Sequence, residues 1–151
     1  MKEDKILIAG IIGAVSTIPS EILTWIGKLL GLANYSDYQL SSLIVTVNRP
    51  SMPLGFVVQA SIGALVSLVL YRVLINWGKE HVLIKATMSG IIAWLALEII
   101  ITAITEGKTI PLREMSAYYI HLLGAVVFGL TQGLLFKRYV LMKDHTQAHL
   151  R

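Results

Sequence analysis

The sequence predicts an all-α fold: an antiparallel four-helix transmembrane bundle with a short interfacial amphipathic helix in its first loop. Three observations carry that prediction. Four windows are each long and apolar enough to cross a bilayer, since about 20 residues at 1.5 Å rise span a hydrocarbon core of roughly 30 Å. The composition is 55% hydrophobic and only 15% charged, with a mean hydropathy of +0.69, whereas soluble domains carry roughly 25% charged residues. The thirteen Lys and Arg collect at the ends of the apolar windows, where anionic lipid headgroups meet them. No basic face repeats along a helix, so the net charge of +4 points to lipid and not to nucleic acid.

The first span runs from about Ile6 to Gly27, between Lys5 and Lys28, and holds one formal charge, that of Glu21 just past Pro19. A charged side chain at the centre of a span costs about 2.5–3.5 kcal/mol on insertion scales, so Glu21 should face a polar interior. MKEDK followed by an apolar run and by Gly13, Ala14 and Ser16 has features of a signal peptide. Apolar sequence nevertheless continues to Gly27, and we expect the first helix to be retained.

Within the loop from Lys28 to Ser51, Ser36 and Gln39 have capping-box spacing. Behind them Leu40, Leu43, Ile44 and Val47 recur at helical spacing, opposite Asp37, Ser41, Ser42 and Thr46. Some eleven residues cannot span a bilayer, so this segment should lie on the membrane surface or cap the bundle. Pro50 and Pro53 close it and open the next element.

The second span covers about 52–77, with Arg72 near enough to its end to snorkel. The GKEH turn leads to the third, about 82–104, and TEGKTIPLRE to the fourth, about 115–136. Residues 1–136 thus form one transmembrane domain and 137–151 a basic tail. The i, i+4 pair His145 and His149 in that tail reads as solvated. Nine Lys and Arg fall on the side of the termini and four on the other. Both termini are therefore expected to be cytoplasmic in a multi-pass protein of the inner (plasma) membrane. Trp25, Tyr118 and Tyr119 then belong to the outer aromatic belt, Tyr71 and Trp77 to the inner one.

The candidate site comes from depth. Glu21, Gln59, Glu98 and His121 each lie six or seven residues from the same end of their spans, about 10 Å below the surface at 1.5 Å per residue. Each shares a stripe with small residues or further polar ones. Gly10, Gly13 and Thr17 accompany Glu21, while Gly55, Gly63 and Ser67 accompany Gln59. Thr87, Gly90 and Trp94 accompany Glu98, while Gly124, Phe128 and Gln132 accompany His121. Small residues mark close helix approach in membranes, so the four polar groups should point inward, with Thr17, Trp94 and Gln132 in support. Two carboxylates in one dry plane repel, and at least one should hold its proton more tightly than usual. A neighbouring imidazole could exchange protons near neutral pH.

Three uses of such a layer stay open: fixing helix register, handling a proton or small solute, or binding a divalent metal through Glu21, Glu98 and His121. No other cofactor is expected. Haem held by two histidines would need a second mid-membrane His, and His81 lies at the opposite surface. With no cysteine in the chain, thiolate chemistry is excluded, and no hydrolase, zincin, P-loop or dinucleotide fingerprint appears. Matching GIIGA and GIIAW, or GALV and GAVV, hint at a duplicated hairpin.

The glycine-rich IAGIIGA, the proline-bearing NRPSMPLG and the terminal GLLFKR resemble small four-span integral membrane proteins of Gram-positive bacteria. That resemblance implies a fold but transfers no catalytic residue. The leading expectation is a small transporter or channel subunit for a proton, cation or small polar solute, acting as a homo-oligomer. The alternative is a non-transporting accessory or assembly subunit whose partner is another membrane protein. An enzyme is the least favoured reading, because no activated nucleophile is in evidence.

Overall fold

The computed structural model describes residues 4–141; the tail histidines lie outside them. Four helices are long and apolar enough to cross a membrane, so the chain is a multi-pass membrane protein of all-α type. They are α1 (Lys5–Leu29), α3 (Met52–Asn76), α4 (Val82–Thr105) and α5 (Met115–Phe136), and a short α2 (Asp37–Thr46) precedes α3. A π-helical turn, Lys137–Leu141, prolongs α5.

Local chemistry accounts for the ends of these elements. Asp4 caps α1 by accepting from the amides of Ile6 and Leu7. Ser36 and Gln39 make the expected capping box on α2, and Pro53 sits in the first turn of α3, where no amide donor is needed. α1 runs through Pro19, whose imide cannot donate to the carbonyl one turn back.

Close approaches at glycine set the packing. A Cβ on Gly13 would fall 2.0 Å from the carbonyl oxygen of Gly63, so α1 and α3 touch backbone to backbone. On the other side, a Cβ on Gly129 would lie 2.5 Å from the Cα of Thr87, which joins α5 to α4. α1 also packs along α5, giving the lateral order α3, α1, α5, α4. α3 and α4 are neighbours in sequence, yet they touch only sparsely. The arc of helices is therefore open on one side.

The two ends of the bundle differ in kind. At the end holding the start of α1 and the end of α5, Ala9, Ile12, Leu70, Leu74, Ala86 and Phe136 form an apolar core. At the opposite end α2 covers the bundle, its Leu40 and Leu43 packing on Ile101 and Ile110. Outward-facing Ile11, Val15, Leu65, Ile92 and Leu123 are more than 45% exposed, as lipid contact requires.

Of the two expected placements of α2, capping the bundle is the one observed, with both of its faces packed: Ser41 and Ser42 are buried along with Leu40 and Leu43. Ser41 Oγ donates to Gln59 Oε1 at 2.6 Å, and Ser42 Oγ donates to the Gln39 carbonyl within α2 at 2.7 Å. Tyr118, expected in an aromatic belt, turns its hydroxyl inward to Glu106 at 2.6 Å.

Candidate functional site

α1 presents Thr17, Glu21 and Thr24 on one stripe, all buried. Together they dock the first turn of α2. Thr24 Oγ1 accepts from the Asp37 amide at 3.1 Å, and Glu21 Oε2 accepts from the Tyr38 amide at 2.8 Å. These are orphan donors of a helix N-terminus, where a carboxylate also meets the positive end of the helix dipole. Thr17 Oγ1 completes the contact with the Tyr38 hydroxyl at 3.1 Å. Burial, followed by the negative charges of Glu21 and Asp37, pushes the Tyr38 phenol above its usual range even though Thr17 bonds it.

That docking delivers Asp37, which the sequence places opposite the leucine stripe of α2 and outside the predicted polar layer. Its Oδ2 accepts from Ser20 Oγ at 2.5 Å, and its Oδ1 lies 2.7 Å from Nδ1 of His121 on α5. An ionised carboxylate only accepts, so Nδ1 carries the hydrogen. The other nitrogen, Nε2, is buried without a protein partner, in a residue only 1% exposed.

Glu98 belongs to a different network. Its Oε1 pairs with Nη2 of Arg113, a residue of the α4–α5 loop. The same Nη2 reaches Thr102 Oγ1 at 3.0 Å and Glu106 Oε2 at 3.1 Å. The loop folds back because the carbonyl of Thr105 accepts from the amides of Thr109 and Ile110, and the Arg113 amide donates to Glu106 Oε1 at 2.7 Å. Burial alone would raise the Glu106 carboxyl. Bonds from Tyr118 and Arg113, with the arginine's charge, overcome it and hold Glu106 at about 2. Burial opposes the charge on Arg113 too, but Glu98 and Glu106 outweigh it and raise the guanidinium above its usual value.

A cavity joins these networks. Its volume is about 50 Å³, room for a few waters at about 10–15 Å³ each. Gln59, Glu98, His121 and Trp94 line it with Asp37 and Ser41, and Gln59 Oε1 accepts from Ser41 Oγ at 2.6 Å. Three of the four residues assigned to the layer thus share one space. Glu21 does not line it; it stands behind α2 as an anchor. The two glutamates were expected to repel in a common plane, but each has its own partner and they form no pair. Of the supporting residues, Thr17 braces Tyr38, and Trp94 lines the cavity with its Nε1 unbonded. Gln132, fully buried, does not line it and accepts weakly from Ser89 at 3.4 Å.

Among the described residues no three of His, Asp and Glu converge as a metal site would need. Glu98 is engaged by Arg113 and Glu21 by the Tyr38 amide. An Asp–His pair also occurs in hydrolase triads, but among the described residues no hydroxyl bonds Nε2 of His121. Two signals could have disclosed the residues that were missed. Asp37 opens a helix whose Ser41 lies one turn on, on the same face, and a buried Glu98 calls for a cation such as Arg113 within reach. Comparison with protein-family models, curated proteins and solved structures gave no significant match.

Proposed function

We propose that the chain is a transporter or channel subunit that exchanges a proton for a small cation or polar solute at the cavity bounded by Asp37, Gln59, Glu98 and His121. The observation that carries this reading is His121: an imidazole in a membrane-spanning helix, buried, oriented by a carboxylate and with its second nitrogen unbonded. Imidazole changes charge near neutral pH. Because Asp37 keeps the Nδ1 hydrogen in place, a proton arrives at and leaves from Nε2. Asp37 and Glu98 line the cavity with His121, and Arg113 is shared between Glu98 and Glu106, so the site favours positive charge. An imidazolium and a cation in the cavity would repel, and binding one would release the other.

Apolar side chains pack the far end of the bundle, which argues against a continuous pore through one chain and for alternating access or assembly of copies. In this reading the functional unit is a homo-oligomer in the plasma membrane, with α2 outside and both termini cytoplasmic.

The test is proton flux in proteoliposomes carrying an entrapped pH-sensitive dye. Asp37→Asn keeps the shape of the site, and His121→Gln keeps a hydrogen-bonding group. Both should lose most flux while eluting as folded protein from size exclusion. Flux equal to wild type in both variants overturns the proposal.

A further inference from the structure

The chemistry of Glu98 narrows the ligand. We infer that Glu98 seats a small alkylammonium cation, and that the guanidinium of Arg113 occupies that seat when the cation is absent. This rests on the reading of the cavity as a binding site and names its ligand class.

Glu98 belongs both to the ion pair and to the cavity wall. Its side chain keeps 9% of its exposure while that of Arg113 keeps 1%. The clasp is also under-bonded. Every guanidinium contact to a partner oxygen runs through Nη2, and Nε and Nη1 are buried without partners. A guanidinium offers five N–H donors, and leaving buried donors unmet is costly. A competing cation therefore displaces a weakly satisfied occupant. On leaving Glu98, Arg113 still has Glu106 and the face of Tyr118, 4.6 Å from its ring centroid, so its charge is not stranded.

The walls select the competitor. Ser20, Asp37, Ser41 and Gln59 contribute oxygen to the lining, and Ile62, Val66, Leu97 and Phe128 contribute carbon. Hard metal cations want six or more oxygen ligands, and most of this wall is carbon. A primary ammonium donates N–H bonds to the oxygens and rests a short alkyl group on the carbons. The volume limits it to a few heavy atoms. The sparse contact between α3 and α4 leaves a lateral way in.

The experiment is calorimetric titration of the full chain in detergent with methylammonium chloride at constant ionic strength, beside potassium and tetramethylammonium chlorides. Methylammonium should bind saturably. Potassium, and tetramethylammonium with no N–H, should not bind at the same concentrations. Glu98→Gln should abolish binding, and Arg113→Gln should tighten it about tenfold, because the internal competitor no longer reduces the open fraction. Arg113→Lys retains a charge for folding but loses the fork, and should tighten binding about threefold. Equal or weaker affinity in both arginine variants, or equal binding of tetramethylammonium, overturns the inference. Binding without flux would leave it standing and remove the transport reading. Flux without methylammonium binding would do the reverse.

Discussion

Replacing Glu106 by glutamine should expose how much the loop clasp contributes, through a dependence on pH that few other mechanisms imitate. Glu106 falls from an ordinary 4.5 to about 2 in the folded protein. At about 1.4 kcal/mol per pH unit this corresponds to about 3 kcal/mol of stability. The folded value lies below the unfolded one, so the contribution is complete above about pH 5 and is lost as the pH falls through 2. Glutamine copies the shape of the protonated acid and cannot ionise. Wild type and Glu106→Gln should therefore differ by about 3 kcal/mol at pH 7 and converge near pH 2. Reversible unfolding by sodium dodecyl sulfate in mixed micelles, followed by circular dichroism from pH 2 to 7, measures the difference. A gap that stays constant across that range, or widens toward acid, would refute the reasoning, because the clasp would then not depend on ionised Glu106.

Other outcomes follow from single contacts. Asp37→Ala leaves Ser20 Oγ and the Nδ1 hydrogen of His121 without partners and should cost about 2–6 kcal/mol, from about 1–3 per stranded group. Asp37→Asn can still accept from the ring and should cost less than half as much in the same unfolding assay. Gly55→Ala would put a Cβ 1.7 Å from the backbone oxygen of Tyr38. That contact cannot yield, so α2 should lift and its amides should exchange with deuterium at least tenfold faster, at an overpacking cost of about 3 kcal/mol. Val47 ends α2 at φ 64, in a tight turn where the Asn48 amide donates to Thr46 O at 2.7 Å. Because a β-branched residue is strained there, Val47→Gly should stabilise the protein by about 1 kcal/mol in denaturant titration.

Much of the architecture is local and hence legible along the chain. Span number and position follow from hydropathy, because the bilayer imposes one length on every crossing. The cap at Ser36 and Gln39 is a contact between residues three apart. The common depth of Gln59, Glu98 and His121 is also local, since rise per residue is constant, and the cavity they line lies at that depth. Depth does not fix rotation, however. Glu21 shares the level but turns to the amides of α2, an outcome that depends on where a ten-residue helix comes to rest.

The residues that were missed are those whose partners come from distant segments. Asp37 meets His121 across 84 positions of sequence, and Arg113 reaches Glu98 only because its loop folds back over α4. The partners of the serine face of α2 were not legible either, since an amphipathic pattern shows which residues share a side and not what that side meets.

The sequence by itself therefore determined that this is a four-span helical membrane protein with one capped short helix in its first loop. Repeating apolar length, helical period and constant rise are properties of the chain alone. Only the tertiary structure decided that α2 closes one end, that Asp37 orients His121, that Arg113 holds Glu98, and that α3 and α4 stand apart around a cavity. Those outcomes depend on the rotation of each helix about its axis, which glycine contacts such as Gly13 on Gly63 set once the helices pack.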